Sequence, residues 1–310
     1  MNRLQANLCL ICVTLCWSSE TILYSCIPSG IPSFATTCVT CLTGTLLLFA
    51  AFYRRAMDAI RGSDRRRLLL NCLVLAVLNA SYNTLFLYGT KSFDVASGAF
   101  TFCMTVVVLP VVLLTMRRNI ASSTWISVAL VCSGIVMALG PSLRGEQFMG
   151  LALMAIGCLL RAVFIVILAD TAKKRDPIAI TIFFQLFAGL FSLIGWFGME
   201  PRLFLALPLS RSLIASWAIY AYFIVAFAQT LNIFAMKRVT ATNATVVYSL
   251  EIVFSIIWSA ILPEGIVDNV KLTPFMFVGM LFVVIGSLAE VFDFRKARAM
   301  HEAQVMGGEK

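Results

Sequence analysis

Histidine is almost missing from this chain of 310 residues: there is one, His301, close to the C-terminal end. Its scarcity removes the commonest general base, and the sequence holds no Walker loop, no nucleophile–base pair and no zinc-type ligand cluster. No cofactor or metal is implied, and an enzyme is not expected. Charge is scarce as well, at 13% of residues against roughly 25% in soluble domains. Acids are scarcer than bases, 15 Asp and Glu against 24 Lys and Arg, for a formal net charge of +9. The bases lie in short stretches between apolar runs instead of in one patch, which argues against a nucleic-acid surface. Apolar residues fill the remainder: 60% of the chain is hydrophobic, more than a soluble fold of this length can bury.

Ten cysteines are present, yet their placement suggests neither a disulfide framework nor a metal site. Cys9, Cys12 and Cys16 share one face of the first apolar run, and Cys38 and Cys41 sit in the second. The two Cys-x-x-Cys spacings have no His, Asp or further Cys to complete a zinc shell, so these are read as small packing residues. Arg3 precedes an apolar stretch that runs to Cys26, longer than the roughly 7–15 residues of a signal-peptide core. An uncleaved first helix is the expectation.

A bilayer-spanning helix takes about 20 apolar residues. Ten windows of that kind occur, at 5–27, 33–53, 68–89, 94–116, 122–140, 147–169, 178–199, 211–235, 241–262 and 272–293. Turn residues separate them, among them Pro28-Ser29-Gly30-Ile31-Pro32, Gly140-Pro141 and Pro263-Glu264-Gly265. If the windows alternate in direction, 18 Lys and Arg fall on one side and 5 on the other, with Arg161 alone inside a window. The positive-inside rule then puts both termini in the cytoplasm. The expected fold class is an all-α integral membrane protein of ten transmembrane helices in the plasma or inner membrane. Residues 54–67 read as its longest polar loop, a basic connector, and 294–310 as a cytoplasmic tail.

Polar groups at membrane depth are costly, so each is a functional candidate. At 1.5 Å per residue Glu251 lies about 15 Å from the cytoplasmic end of its helix and Asn79 roughly 18 Å. On the same scale Arg161 lies about 9 Å deep and Glu20 about 23 Å. Arg161 and Glu251 therefore differ by about 6 Å in depth, within reach of a long side chain, whereas Arg161 and Glu20 differ by about 14 Å. An Arg161–Glu251 ion pair is expected from the cost of leaving either charge alone. Tyr248, Glu251, Ser255 and Trp258 share one face of the ninth window, and Trp17, Glu20 and Tyr24 repeat the pattern in the first. Asn79 and Asn83 are an i, i+4 pair with Tyr82 beside them, and Gln229 and Asn232 lie three apart in the eighth window. Such a set suits a zwitterionic small molecule: acid for ammonium, Arg for carboxylate, aromatics for the apolar remainder. Interhelical hydrogen bonding is the plainer account of Gln229 and Asn232, and for Asn79 and Asn83 it stands level with a binding role.

Several short motifs together resemble the EamA-type permeases of the drug/metabolite transporter superfamily. They are Trp17-Ser18-Ser19, Pro32-Ser33-Phe34, Asp176-Pro177-Ile178-Ala179, and Ala241-Thr242-Asn243-Ala244 running on through Ser249-Leu250-Glu251-Ile252-Val253-Phe254. Ser133-Gly134 and Ile285-Gly286 supply the glycines of the fifth and tenth helices. Ile252 departs from the pattern, standing where many members carry proline. The resemblance implies two inverted five-helix repeats, 1–140 and 147–293, around a central substrate cavity. It further implies a permease for a small molecule, exporting amino acids or related metabolites by alternating access. Proton coupling through Glu20 or Glu251 and facilitated diffusion both fit, as does a homo-oligomer. A multidrug or toxic-cation exporter and a non-transporting sensor or scaffold are the rival readings.

Overall fold

A computed structural model describes residues 1–28, 30–90, 104–118, 120, 122–139, 148–199, 201–205, 207, 209–262 and 273–291. Among them every regular element is a helix. The order begins α1 (Arg3–Ser18), α2 (Glu20–Ser25), α3 (Ser33–Arg61), α4 (Arg65–Thr90), α5 (Thr105–Thr115), α6 (Ser122–Leu139), α7 (Phe148–Lys174), α8 (Pro177–Met199) and α9 (Pro201–Leu205). It continues with α10 (Arg211–Tyr220), a π-helical segment (Ala221–Ala228), α11 (Gln229–Met236), α12 (Ala241–Tyr248), α13 (Leu250–Ile261) and α14 (Pro274–Val291). Among the described residues six helical stretches are long and apolar enough to cross a membrane: Ser33–Arg61, Arg65–Phe86, Ala152–Lys174, Pro177–Met199, Arg211–Met236 and Ala241–Trp258. Shorter apolar helices occupy Arg3–Ser18, Thr105–Thr115, Thr124–Met137 and Pro274–Ala289. Helix is what such sequences must form, because hydrocarbon offers no partner to an unpaired N–H or C=O.

Three windows that read as single helices are interrupted. The first breaks at Ser19, where the hydroxyls of Ser18 and Ser19 donate back to the carbonyls of Leu15 and Cys16, each at 2.7 Å. The ninth breaks at Ser249, whose hydroxyl donates to the Val246 carbonyl at 2.5 Å, and Ser287 of α14 donates to the same oxygen at 3.0 Å. Serine back-bonding thus accompanies the break just ahead of Glu251, where residue 252 is isoleucine. The eighth window changes its winding over the π-helical segment.

The basic loop expected at 54–67 is corrected. Helix α3 continues to Arg61 past a non-helical Phe52 (φ −127°, ψ 31°), and α4 starts at Arg65, leaving 62–64 as the connector. Arginine is a good helix former, and Arg61 in the last turn complements the negative end of the helix. Residues 94–103, the tail 294–310, and Lys91, Arg144, Lys271 and His301 lie outside the described residues.

The densest packing joins α3 to α8, α6 to α14, and α4 to both α7 and α8. The second and the fifth helices of the two sequence halves therefore meet their counterparts. Helix α1 packs on α11, α12 and α13, which places Trp17 and Glu20 beside Tyr248 and Glu251. Large apolar side chains such as Leu46, Ile126, Val136, Ile194 and Phe275 point outward, as a hydrocarbon surroundings permits.

At the arginine-rich end the connectors are tied together. Arg118 forks onto Asp170 (3.1 and 2.5 Å), Arg175 meets Asp64 at 2.8 Å, and Arg55 lies 3.9 Å from Asp176. A cavity of about 420 Å³ opens among Arg55, Asp58, Asp64, Lys174, Arg175 and Asp176. Because Arg118 and Asp170 are each about two-fifths exposed, solvent screens their pair. Arg118→Gln is therefore expected to change stability by no more than about 1 kcal/mol. Melting of the detergent-solubilised variant should track the unsubstituted protein, and still more closely at high salt; a collapse in melting temperature would contradict this.

Candidate functional site

Buried charges need partners, and the deep ones converge. Arg161 comes from the middle of α7, and Glu251 from the first turn of α13 just past the Ser249 break. Arg161 Nη2 lies 3.6 Å from Glu251 Oε2, with the two side chains 7% and 18% exposed. This is an ion pair slightly longer than a hydrogen bond, and Glu251 Oε2 accepts no hydrogen bond among the described residues. Charge is neutralised, yet Glu251 Oε2 keeps its hydrogen-bonding capacity unused among the described residues.

Aromatic and amide side chains surround the pair. Tyr248, at the end of α12, donates its hydroxyl to Asn232 Oδ1 on α11. The Tyr248 ring lies 5.2 Å from that of Trp17 on α1, tilted by 54°. On α4 the Tyr82 hydroxyl donates to Asn79 Oδ1 at 2.7 Å, and the Tyr82 ring meets Phe164, one turn beyond Arg161, at 5.6 Å. Arg161 is within electrostatic range of Tyr82, Tyr248 and Glu20. Glu20 itself, at the start of α2, accepts the Tyr220 hydroxyl. Trp258 of α13 donates its indole N–H to Ser18 Oγ at 2.9 Å, fastening the break between α1 and α2 to the helix that carries Glu251.

Of the residues singled out in the sequence, Glu251, Arg161, Glu20, Trp17, Asn79, Tyr82, Tyr248 and Asn232 thus form one polar group. Gln229 is buried at the start of α11, one turn from Asn232, whereas Asn83 is exposed. The side chain of Tyr24 lies outside the described residues. Among those residues no set of three or more His, Cys, Asp or Glu could hold a metal ion.

Tyr220 and Ser18 are additions that the sequence pattern missed. Nine residues of α-helix make about two and a half turns, which would set Tyr220 and Gln229 on opposite faces. The π-helical segment between them takes more residues per turn, and both side chains are buried. An α-helical phase count discards Tyr220 for that reason.

The model of the EamA-like transporter family matches the chain twice, over residues 4–140 and 148–290. No curated protein matches the sequence. A solved structure, described only as "Crystal structure of protein", is similar with a TM-score of 0.74 over 94% of this chain and 98% of that chain. Its sequence identity is 16%, so the likeness is one of fold.

Proposed function

The chain belongs to the EamA-like transporter family, and from that premise we propose a permease that exports amino acids or related small metabolites by alternating access. It crosses the plasma or inner membrane ten times as two oppositely oriented five-helix repeats, with both termini cytoplasmic. The ten apolar windows, each of which carries helix, and the 18-to-5 asymmetry of Lys and Arg support this topology. The meeting of 62–64 with Arg175 and Asp176, all on the arginine-rich side, supports it further.

The loose Arg161–Glu251 pair is the observation that carries the solute reading. A solute carboxylate can take the guanidinium while its ammonium takes Glu251, so that each buried charge changes partner without being stranded. Trp17 and Tyr248 offer ring faces to the apolar remainder. A second reading, export of toxic organic cations, is favoured by the excess of carboxylates, Glu20 and Glu251 against Arg161, beside those same rings.

Metabolite profiling of medium from cells with and without the protein tests the proposal. An amino compound that accumulates outside only in its presence is the expected result, together with resistance to amino-acid analogues. Resistance to bulky cations without any amino compound outside would move the conclusion to the second reading, and no change in either would remove both.

A further inference from the structure

Helix α3 is longer than hydrocarbon requires, and its bend marks a depth. Its 29 residues rise about 44 Å, against about 30 Å of hydrocarbon and about 40–45 Å with both headgroup layers. Phe52, where the backbone leaves the helical range, is the twentieth residue, about 30 Å from Ser33. Phe52 and Tyr53 are exposed, and the Tyr53 ring meets that of Phe49 edge to face at 5.2 Å. Aromatic rings gather in this way at the boundary between hydrocarbon and headgroups. Arg54 and Arg55 follow at once, and every residue from Arg61 to Arg67 is exposed. Ala56, fully buried, and Ile60 hold the extension against the core. The end of α3 past Phe52 therefore stands at headgroup level.

The cavity of about 420 Å³ opens at the same level, between the end of α3, the start of α4 and the junction of α7 with α8. Its volume lies in the range of small-molecule sites, about 300–1,000 Å³. Charge in its lining is balanced, with Arg55, Lys174 and Arg175 against Asp58, Asp64 and Asp176. Those charges do not all use one another. Arg175 and Asp64 meet at 2.8 Å, and Asp176 Oδ1 accepts from the backbone N–H groups of Ile178 and Ala179 at the head of α8. Arg55 only approaches Asp176, at 3.9 Å, too far for a hydrogen bond. The Lys174 and Asp58 side chains make neither a hydrogen bond nor an ion pair among the described residues. Asp170, one turn before Lys174, is held by the Arg118 fork. One cavity thus keeps positive charge in reserve on Arg55 and Lys174, and negative charge on Asp58.

We propose that this cavity holds the headgroup of a phosphatidylethanolamine lipid, its phosphate on Arg55 and Lys174 and its ammonium on Asp58. A phosphodiester takes charge-assisted hydrogen bonds from both a guanidinium and an ammonium. The ethanolamine ammonium brings three N–H donors for a carboxylate. Choline carries the same charge without an N–H, and a glycerol headgroup brings no cation, so each leaves Asp58 without a charged donor. Depth selects a lipid over a free solute, because a cavity at headgroup level is filled from the bilayer itself. Lys174 is thirteen residues past Arg161 along α7, so this site is separate from the Arg161–Glu251 group. Lipid binding here holds whichever solute the protein carries.

Native mass spectrometry of the full chain, stripped of lipid in detergent, tests the assignment. The protein is given equal amounts of phosphatidylethanolamine, phosphatidylcholine and phosphatidylglycerol with the same acyl chains. Phosphatidylethanolamine should be retained about tenfold over phosphatidylcholine, the worth of one charge-assisted hydrogen bond. Asp58→Asn should bring those two lipids level and raise phosphatidylglycerol. Arg55→Gln with Lys174→Gln should lower phosphatidylethanolamine to the level of phosphatidylcholine. Arg118→Gln, whose pair lies outside the cavity lining, should keep the preference. Melting without lipid reports whether each variant folds, and the comparison of ethanolamine with choline needs no variant at all. Choline level with ethanolamine, phosphatidylglycerol ahead of both, or a preference that survives Asp58→Asn overturns the proposal. Displacement of the lipid by an equal concentration of soluble glycerophosphoethanolamine also overturns it, by moving the site to a free solute.

Discussion

Replacing Arg161 by alanine is expected to cost the folded protein about 3–5 kcal/mol and all solute flux. The loss comes less from the attraction removed than from the charge left behind. Glu251 would stay in a nearly dry site with Arg161, its only close cation among the described residues, gone, and Glu20 would lose the same guanidinium at longer range. Because the Glu251 side chain keeps 18% of its exposure, residual hydration should hold the cost near the lower end of that range. Glu251→Leu should cost less, since Arg161 can still lean toward Glu20. Replacing both members by apolar residues, Arg161→Met with Glu251→Leu, removes the stranded charge and should restore most of the stability, as buried pairs elsewhere do. It should restore no flux, because both charges proposed to meet the solute are gone. Detergent-phase unfolding and liposome flux of the two single variants and the double variant read these quantities. If each single variant is as stable as the double, the pair is not coupled. If the double variant transports, the pair is not the site.

Depth arithmetic found the Arg161–Glu251 contact because Arg161 lies in an unbroken helix and the interruption at Ser249 falls at one residue, too little to change a depth counted at about 1.5 Å per residue. Tyr220 was not singled out at all: it sits ahead of a segment whose turn is wider than the α-helix, and no residue pattern in the sequence announces that winding. The breaks at Ser19 and Ser249 were hidden for a different reason. Thr14, Thr181 and Thr245 also donate to carbonyls of their own helices, four residues back, and their helices run on. Ser18, Ser19 and Ser249 donate three residues back, where the turn tightens and the helix ends. A hydroxyl in the sequence does not say which of the two carbonyls it will take; packing decides. At Ser249 the packed neighbour is Ser287, almost forty positions away, whose hydroxyl shares the Val246 carbonyl with that of Ser249 and lies 3.2 Å from it. The connector at 54–67 was misjudged because charge was read as loop, although arginine extends a helix beyond the bilayer as readily as it ends one.

A single added carbon at Gly134 is expected to rival the loss of Arg161. Helices α6 and α14 approach so closely there that a Cβ would lie 2.5 Å from the Gly279 carbonyl oxygen and 2.9 Å from the Val283 nitrogen. Both are backbone atoms, so no side chain can rotate away and the helices must part. In hydrocarbon that separation is poorly compensated, because lipid tails solvate leucine as well as protein does and only close packing holds the helices together. Gly134→Ala should therefore lose about 1–3 kcal/mol, and Gly134→Leu should yield no folded protein. Gly198, with nothing within 4 Å of its Cβ position, is the control that should accept alanine at no cost. Gly44 is the informative intermediate, because the atom it would strike first is the Val225 side chain. Val225→Ala should relieve Gly44→Ala in part, whereas trimming Phe282 should leave Gly134→Ala unrelieved, since its obstruction is main chain. If Gly134→Ala melts with the unsubstituted protein, α6 and α14 do not approach this closely in the membrane.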